Sequence, residues 1–350
     1  MAYTTIDDPS AHFQTKLYTG NGSTQSITND GNSDLQPDLV WTKARSDTSH
    51  HTNVDSSRGA GKQIYPNLAY QEETVSGVSA FLTDGFTLGS NGTANADGVT
   101  HVAWQWKANG GTTASNTDGS ITSTVQANQD AGFSIVTYTG NGSASTIGHG
   151  LGVVPAMIIV KCRNAGSTNW TIYHKNSNAT PQNYILEFNE NAAADNDRFN
   201  DTAPTSSVFS VNAGSSPVNE NSNTYVAYCF AEKQGYSKFG KYVGNGSNTN
   251  GTFIYTGFRP AFIIAKRTDE AAHNWFMWDT KRSPFNLVQA VLYPNATSSE
   301  STLFEINILS NGFKHYNNYG STNTSGASYI FMAFAENPFV TSTGIPTTAR

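Results

Sequence analysis

Charged side chains are scarce in this sequence. Asp, Glu, Lys and Arg make up 13% of the 350 residues, against about 25% in an average globular protein. The 26 acidic residues outnumber the 20 basic ones, which gives a formal net charge of −6. The chain therefore lacks the broad basic field that binding to nucleic acid or to an anionic membrane surface requires, and we expect neither partner.

Long apolar runs are missing too. No stretch reaches the roughly 18 consecutive apolar residues of a membrane-spanning helix, so the sequence predicts no membrane insertion. The opening residues, Met1 to Pro9, hold neither the basic nor the apolar segment of a secretory signal peptide. We therefore expect synthesis in a cytoplasm, and release within an assembled particle if the protein works outside the cell.

Cysteine occurs twice, at Cys162 and Cys229. Two cysteines do not make the disulfide framework of a small secreted domain. They are also too few for a structural zinc site without histidines at ligand spacing. Because both lie in apolar, strand-like runs, we expect two buried free thiols, with a disulfide between them as the alternative.

The motifs of catalysis and cofactor binding are also lacking. The sequence contains no G-x-S-x-G, H-E-x-x-H or P-loop pattern, and His50-His51 is the only adjacent histidine pair. We therefore predict no enzyme activity, no cofactor and no metal site. A group of acidic residues could hold Ca²⁺, but it lacks the EF-hand spacing and is interpreted as a solvated loop: Glu187, Glu190, Asp195, Asp197 and Asp201.

The chain does contain a pattern that recurs three times. A Tyr-x-Gly-Asn-Gly-Ser motif begins at Tyr18, Tyr138 and Tyr242. A second block, in which a proline opens an apolar run ending in basic residues, begins at Pro37, Pro155 and Pro260. Two independent blocks that keep nearly the same spacing indicate tandem modules.

Two further blocks follow the same order. An asparagine-tryptophan pair occurs at Asn169-Trp170 and Asn274-Trp275, whereas the first copy has His51 in place of the tryptophan. An apolar closing run occupies residues 102–108, 226–232 and 330–336. The first copy thus departs from the common pattern at one conspicuous position.

Each copy predicts several short strands. Residues 133–138 alternate with the period of two that is typical of a strand, and Gly-Asn-Gly-Ser supplies the residues that a type I′ hairpin turn favours. The proline that opens each second block fits this prediction, because proline is tolerated as the first residue of a strand. The sequence therefore predicts an all-β protein of three tandem β-sandwich, jelly-roll-like modules. We place the modules at residues 1–108, 131–234 and 235–339, with a Gly/Ser/Thr-rich linker at 109–130 and an extended tail at 340–350.

Four aromatic residues are candidates for contact with glycans: Trp170, Tyr173, Trp275 and Trp278. Tryptophan and tyrosine suit this role because each combines an apolar face with a polar edge. The competing interpretation is that aromatic residues repeated at matched positions form the core of the modules.

The basic residues that end the second block form another candidate set: Lys43/Arg45, Lys161/Arg163 and Lys266/Arg267. Residues two apart on a strand share a face, so such a pair could contact an anion or an acidic sugar. The competing interpretation is a strand end that emerges into solvent and pairs with Asp55 or Asp279.

These blocks, with the opening residues Asp7-Asp8-Pro9-Ser10-Ala11-His12, resemble a repeated domain of unknown function found in marine bacteriophage and prophage proteins. The resemblance covers nearly the whole chain, and it brings no catalytic residues with it. Proteins with this domain are usually assigned as virion structural or tail-fibre-like.

The resemblance implies a non-enzymatic protein of the virion surface, either a tail fibre or a capsid-decorating protein. Its expected partners are other virion proteins, further copies of itself in a trimer, and host surface glycans. The alternative is a carbohydrate-binding module array of an adhesin or of a polysaccharide-acting protein.

Overall fold

Strands dominate the structure. The computed structural model describes residues 2–190, 198–215 and 217–347, and within these ranges the structure has 24 strands, one four-residue α-helix (Gly92–Asn95) and two 3-10 turns (Pro9–Ala11 and Pro181–Asn183). The prediction of an all-β protein is confirmed. The strands fall into three successive groups, which we call units 1, 2 and 3.

Unit 1 contains nine strands. They are β1 (Phe13–Thr19), β2 (Gln25–Ile27), β3 (Leu39–Ala44), β4 (Thr52–Asp55), β5 (Lys62–Gln63), β6 (Glu73–Thr74), β7 (Val78–Leu82), β8 (Gly85–Leu88) and β9 (Thr100–Trp106). The main sheet has the order β1-β9-β3-β4, and two smaller sheets have the orders β2-β8-β7 and β5-β6.

Unit 2 contains eight strands. They are β10 (Ala114–Asn116), β11 (Ser123–Asn128), β12 (Phe133–Thr139), β13 (Ser145–Gly148), β14 (Met157–Cys162), β15 (Thr171–His174), β16 (Val208–Val211) and β17 (Thr224–Phe230). The main sheet has the order β10-β11-β12-β17-β14-β15, and β13 pairs with β16.

Unit 3 contains seven strands. They are β18 (Ser237–Val243), β19 (Phe253–Tyr255), β20 (Phe258–Arg267), β21 (Phe276–Asp279), β22 (Ile306–Leu309), β23 (Gly312–His315) and β24 (Ser328–Pro338). The main sheet has the order β18-β24-β20-β21, and the smaller one β19-β23-β22.

The three main sheets share one strand order. In each, the strand that leads into the Gly-Asn-Gly-Ser motif lies beside the closing strand of the same unit, which lies beside the strand of the second sequence block. All of these pairings are antiparallel. The repeated sequence blocks therefore occupy the same places in three similar sheets.

The central strands of each main sheet are buried on both faces. In β3, Leu39 and Trp41 point into a core that all three units share, and Val40 points into a core private to unit 1. Units 2 and 3 likewise have private cores under their smaller sheets. Successive residues of a strand point to opposite faces, so each main sheet separates a private core from the shared one. The units are thus packed around a common centre.

The Gly-Asn-Gly-Ser motif does not close a hairpin, contrary to the sequence-based expectation. β1 pairs with β9, and β2, which follows the motif, pairs with β8 in a different sheet. In unit 1 the turn is held by the buried Asn95, whose Oδ1 accepts the Asn21 backbone N–H at 3.0 Å and whose Nδ2 donates to the Ser23 carbonyl oxygen at 2.6 Å. Asn219 and Asn323 hold the equivalent turns of units 2 and 3. The motif is therefore a corner at which the chain changes sheets.

Residues 109–130, predicted to be a linker or an extended arm, contain β10 and β11. β11 pairs with β12 from Thr124 to Asn128, with Val125 opposite Val136 and Gln126 opposite Ile135. The segment reads as a linker because it has few apolar residues, but a strand that adds to a sheet edge is held by backbone hydrogen bonds and needs little side-chain burial.

The chain ends lie against each other on unit 3. The carboxylate of Asp7 accepts hydrogen bonds from the backbone N–H and the hydroxyl of Ser342, and the Tyr3 hydroxyl donates to the carbonyl oxygen of Gly257 at 2.6 Å. The tail, predicted to be extended, turns back at a bridge between Val340 and Pro346. The N-terminal segment thus runs from unit 3 into unit 1.

Candidate functional site

The four aromatic residues considered as glycan contacts lie in the interior. Trp170 and Trp275 are 0% and 1% exposed and belong to the shared core. Tyr173 and Trp278 belong to the private cores of units 2 and 3. Stacking on a sugar needs an exposed ring face, and these rings do not offer one. The structure therefore places all four in hydrophobic cores, two in the shared core and two in the private cores of units 2 and 3.

Two of these tryptophans also join neighbouring units. Nε1 of Trp170 donates to the carbonyl oxygen of Tyr65 in unit 1 at 2.8 Å, and Nε1 of Trp275 donates to the carbonyl oxygen of Glu187 in unit 2 at 2.9 Å. Both contacts run from a unit to the one before it. Because a buried indole N–H needs an acceptor, each contact fixes how two units meet.

His51 makes the same contact from unit 1 to unit 3. Its Nε2 lies 2.9 Å from the carbonyl oxygen of Tyr293. An imidazole is smaller than an indole, and Trp41 fills the space beside it and donates its Nε1–H to Nδ1 of His51 at 2.9 Å. In units 2 and 3 the positions that correspond to Trp41 hold Ile159 and Ile264. The larger Trp41 side chain on the neighbouring strand therefore compensates for the smaller ring of His51.

The surroundings of His51 keep its ring neutral. Since Nδ1 accepts from Trp41, the ring proton lies on Nε2 and is donated to the Tyr293 carbonyl oxygen. Burial lowers the pKa of His51 well below its usual 6.5, and the positive charge of Lys43 lowers it further. The ring therefore acts as a fixed donor.

An asparagine anchors each of the three rings. In each case the backbone N–H of the ring residue donates to an asparagine Oδ1 at 2.9 Å: His51 to Asn67, Trp170 to Asn189 and Trp275 to Asn295. Sequence analysis missed these asparagines. The Tyr-Pro-Asn signal at 65–67 and 293–295 could have found two of them, but the second copy reads Glu187-Phe188-Asn189.

A second contact crosses two of the seams between units. The hydroxyl of Tyr228 in unit 2 donates to Asp55 of unit 1 at 2.7 Å, and Nε1 of Trp104 in unit 1 donates to Asp279 of unit 3 at 3.1 Å. Each carboxylate also pairs with the arginine three residues further along its own unit. Asp55 and Asp279, which we considered as partners of basic strand ends in solvent, thus lie in buried contacts between units.

The seam between units 2 and 3 replaces this contact with another. His174 stands where units 1 and 3 have an aspartate, and its Nε2 lies 3.2 Å from the carbonyl oxygen of Phe331. Met332, which matches Trp104 and Tyr228 in the closing strand, has no hydrogen-bond donor in its side chain. At this seam a hydrogen bond from His174 to a backbone carbonyl oxygen therefore replaces the contact between two side chains that the other seams have.

Two glutamates add ionic contacts across seams. Glu72 of unit 1 accepts from its own Arg58 and from Arg163 of unit 2, each at 2.9 Å. Glu300 of unit 3 does the same with Arg282 and Arg45. Burial alone would raise the pKa of Glu72, but the hydrogen bond from Arg163 and the charge of Arg58 outweigh it and lower that pKa.

The repeated lysines lie in neither of the two expected environments. Lys43, Lys161 and Lys266 are all fully buried, with their ammonium groups on carbonyl oxygens. Burial lowers the pKa of each to about 8. A buried ammonium on the edge of the shared core is a structural group here, so both the anion contact and the solvated strand end are wrong for these lysines.

Cys162 and Cys229 are free and buried. In the ladder of β14 and β17, Cys229 lies opposite Ile158, four residues from Cys162. At about 3.3 Å per residue, this offset exceeds the separation of about 7 Å beyond which two cysteines cannot bond. The two thiols therefore do not form a disulfide.

Within the described ranges, no three His, Cys, Asp or Glu side chains come together as a metal site. Asp195 and Asp197 of the acidic group lie outside the described residues. The helical segments among the described residues are three or four residues long, well short of a membrane span.

A cleft of about 640 Å³ opens at the seam between units 3 and 1. Its floor includes Phe13 and Ala261, and Thr15, Arg259 and further polar residues line it. It is a second candidate site, distinct from the buried contacts at the seams.

Comparison with known proteins gives one family. The model described as "Domain of unknown function (DUF7483)" matches residues 8–338, across all three units. Neither the curated proteins nor the solved structures contain a match to the chain.

Proposed function

The chain belongs to the DUF7483 family of domains of unknown function, and from that premise we propose that it is a non-enzymatic bacteriophage virion surface protein, either a tail fibre or a capsid-decorating protein. It is built from three divergent copies of one β-sandwich module. It is made in the host cytoplasm and acts on the particle surface together with other virion proteins. The resemblance of its sequence blocks to those of virion proteins supports this role.

The cyclic order of the contacts between units carries the proposal. Unit 2 binds unit 1 through Trp170, unit 3 binds unit 2 through Trp275, and unit 1 binds unit 3 through His51. Head-to-tail contacts in one direction either close into a ring or continue as a filament. Here they close after three units, within one chain.

A closed ring of three similar units presents three similar faces. Such a molecule matches a partner with threefold symmetry, which a trimeric fibre base or a threefold position on a capsid provides. We propose that one chain supplies the threefold arrangement that a homotrimer would otherwise give. Light scattering of the purified protein tests this. A mass near 37.6 kDa is expected, and a mass three times larger would show that the protein is a homotrimer instead.

The ionisable groups at the seams support a structural role. His51, Glu72 and Asp55 are each held by hydrogen bonds to a neighbouring unit. Contact with host glycans remains part of the proposal only for surface residues, because the aromatic residues first considered for it are buried.

The deciding experiment is proteomic analysis of purified virions of the parent phage. We expect the protein in particles that have passed through a density gradient and nuclease treatment, at a copy number that is a simple fraction of the capsid or tail subunits. Cryo-electron microscopy of the same particles should show it at a threefold or pseudo-threefold position. Its absence from purified virions would overturn the proposal.

A further inference from the structure

We propose that the cleft between units 3 and 1 binds an extended peptide segment of a partner protein, which pairs as an added strand with the free edge of β1. The inference concerns this edge alone and holds whether or not the protein is part of a virion. It rests on a comparison of the three equivalent strands β1, β12 and β18, which begin the main sheets of the three units.

The first step is which backbone groups of these strands face outward. At one end of β1 the Gly20 N–H donates to the carbonyl oxygen of Val99, and at the other end the Lys107 N–H donates to the carbonyl oxygen of His12. These contacts show that the even-numbered residues of β1 are hydrogen-bonded to β9. In an antiparallel pair the bonded residues alternate. The N–H and C=O groups of Phe13, Thr15 and Leu17 therefore point away from β9, toward the cleft.

In unit 2 the equivalent edge is covered by a strand of the chain itself. Ile135 corresponds to Thr15, and it lies opposite Gln126 of β11. The segment before β11 also lies at the seam between units 1 and 2, where the Gly111 N–H donates to the Asp38 carboxylate at 2.8 Å. An extended, small and polar segment is thus the natural occupant of this position.

In unit 3 the equivalent edge is covered by side chains. The N–H of Phe239, which corresponds to Thr15, is 3.4 Å from the carboxylate of Glu232, and its carbonyl oxygen is 3.4 Å from Nδ2 of Asn176. Lys175 and Lys238 hold that carboxylate in place at 2.6 Å each. This seam is closed without an added strand.

The edge of β1 has neither cover. No hydrogen bond from another described residue reaches the outward backbone groups of Thr15, and its buried hydroxyl Oγ1 has no partner among them either. Thr15 is 5% exposed and lines the cleft of about 640 Å³. Thr15 therefore presents a backbone N–H and C=O, and a hydroxyl, to the cleft at an unpaired sheet edge, which is the arrangement that accepts a further strand.

The rest of the cleft suits a peptide. Phe13 and Ala261 form an apolar floor for an inward side chain, and the walls carry Asp30, shared between Lys16 and Lys281. Main-chain hydrogen bonds to a sheet edge provide affinity in this mode of binding, and pockets for alternate side chains provide specificity.

The test uses the full chain and a fluorescein-labelled peptide of residues 109–129, the segment that occupies the equivalent seam in unit 2. Anisotropy should show saturable binding, and hydrogen exchange should show protection of residues 13–17. A control peptide with Thr124→Pro, Gln126→Pro and Asn128→Pro, which lacks the N–H groups that face the partner strand, should bind at least about tenfold more weakly.

Two variants locate the site. Thr15→Pro removes the outward N–H and the hydroxyl while the β9 ladder keeps its bonds. Ala261→Phe reduces the volume of the cleft without changing any residue of β1. Each should weaken peptide binding at least about tenfold, with the melting temperature and circular dichroism spectrum of Ala261→Phe unchanged. Absence of saturable binding, or binding that both folded variants retain, would overturn the proposal. Self-association of the free chain that Ala261→Phe abolishes would assign the edge to a second copy and overturn it as well.

Discussion

Nε2 of His51 in unit 1 lies 2.9 Å from the carbonyl oxygen of Tyr293 in unit 3. This contact stands where the other two seams have a tryptophan indole, and the larger Trp41 compensates for the smaller ring. The two departures of the first copy from the common pattern are therefore one coupled change, and the ring of units stays closed because of it.

The coupling can be measured with a double-mutant cycle. Trp41→Ile should lower the free energy of unfolding by about 2–4 kcal/mol, because it leaves a cavity and removes the donor to His51. His51→Trp should lower it by about 1–3 kcal/mol through overpacking against Trp41. The double variant, which reproduces the pattern of units 2 and 3, should recover at least about 1 kcal/mol of the summed loss in urea unfolding.

The control combines Trp41→Ile with Phe209→Leu, which lies in the private core of unit 2. Losses at sites without shared partners add, so this pair should show no coupling. If the Trp41 and His51 losses are just as additive, the compensation between the two residues is disproved.

The strands of the repeated blocks could be predicted from the sequence because their signals are local. β12 alternates with a period of two, and β14 is an aliphatic run that begins two residues after Pro155. β20 contains a similar run, but the strand begins at Phe258, and Pro260 lies within it at a shift of register. By contrast, β10 and β11 have the composition of a linker. Their strand conformation comes from the free edge of β12, which lies outside their own sequence.

The role of the aromatic residues could not be decided from the sequence. A tryptophan on a strand is compatible with a surface platform and with a core, and Trp170 is in the core because a second unit covers it. The buried Lys161 is a similar case, since Ala69 of unit 1 supplies one of its acceptors. Such contacts depend on how units pack, and the sequence shows only that the units recur.

We expect the protein to lose stability in mild acid. Burial lowers the pKa of His101 to about 4 and of His174 and His315 to about 3, from 6.5. Between pH 6.5 and about 4 the unfolded chain binds protons that the folded chain does not. The free energy of unfolding should therefore fall with falling pH by up to about 1.4 kcal/mol per pH unit for each histidine.

Urea unfolding of His315→Phe at pH 7, 6 and 5 isolates one of these histidines. Both ring nitrogens of His315 are buried without a hydrogen-bond partner among the described residues, so phenylalanine should be tolerated and the slope against pH should be smaller. Phe313→Leu in the same core is the control, with an equal loss at every pH. An unchanged slope in His315→Phe would show that His315 does not contribute.

In weak alkali we expect the free energy of unfolding to rise with pH, which is the same direction of change with pH as in acid. Lys43, Lys161 and Lys266 lose their protons near pH 8 in the folded chain, because burial lowers the pKa of each from 10.5 to about 8. Above pH 8 the unfolded chain binds more protons than the folded one, so the free energy of unfolding should rise between pH 8 and pH 9.5. The ammonium of Lys266 donates to the carbonyl oxygen of His273. Lys266→Met removes one of the three buried lysines, so it should reduce the rise in the free energy of unfolding by about a third.

The ionic contact at the seam between units 1 and 3 should contribute more than an exposed ion pair. Glu300→Gln leaves the guanidinium groups of Arg45 and Arg282 without their shared carboxylate, and the Arg282 side chain is 0% exposed. The substitution leaves Arg45 without its carboxylate, whereas Arg282 keeps the buried carboxylate of Asp279. The partial exposure of Glu300 and Arg45 moderates the effect further. We expect a loss of about 1–3 kcal/mol in urea unfolding.

Glu270→Gln is the matched control, because its carboxylate also pairs with an arginine, Arg267, but is 58% exposed. That substitution should cost less than about 1 kcal/mol. The Glu300→Gln loss should also persist in 0.5 M NaCl, since salt screens exposed pairs far more than buried ones. Equal losses for the two variants, or a Glu300→Gln loss that salt abolishes, would mean that the seam is held by its hydrogen-bonded rings and apolar contacts and gains little from the Glu300 carboxylate.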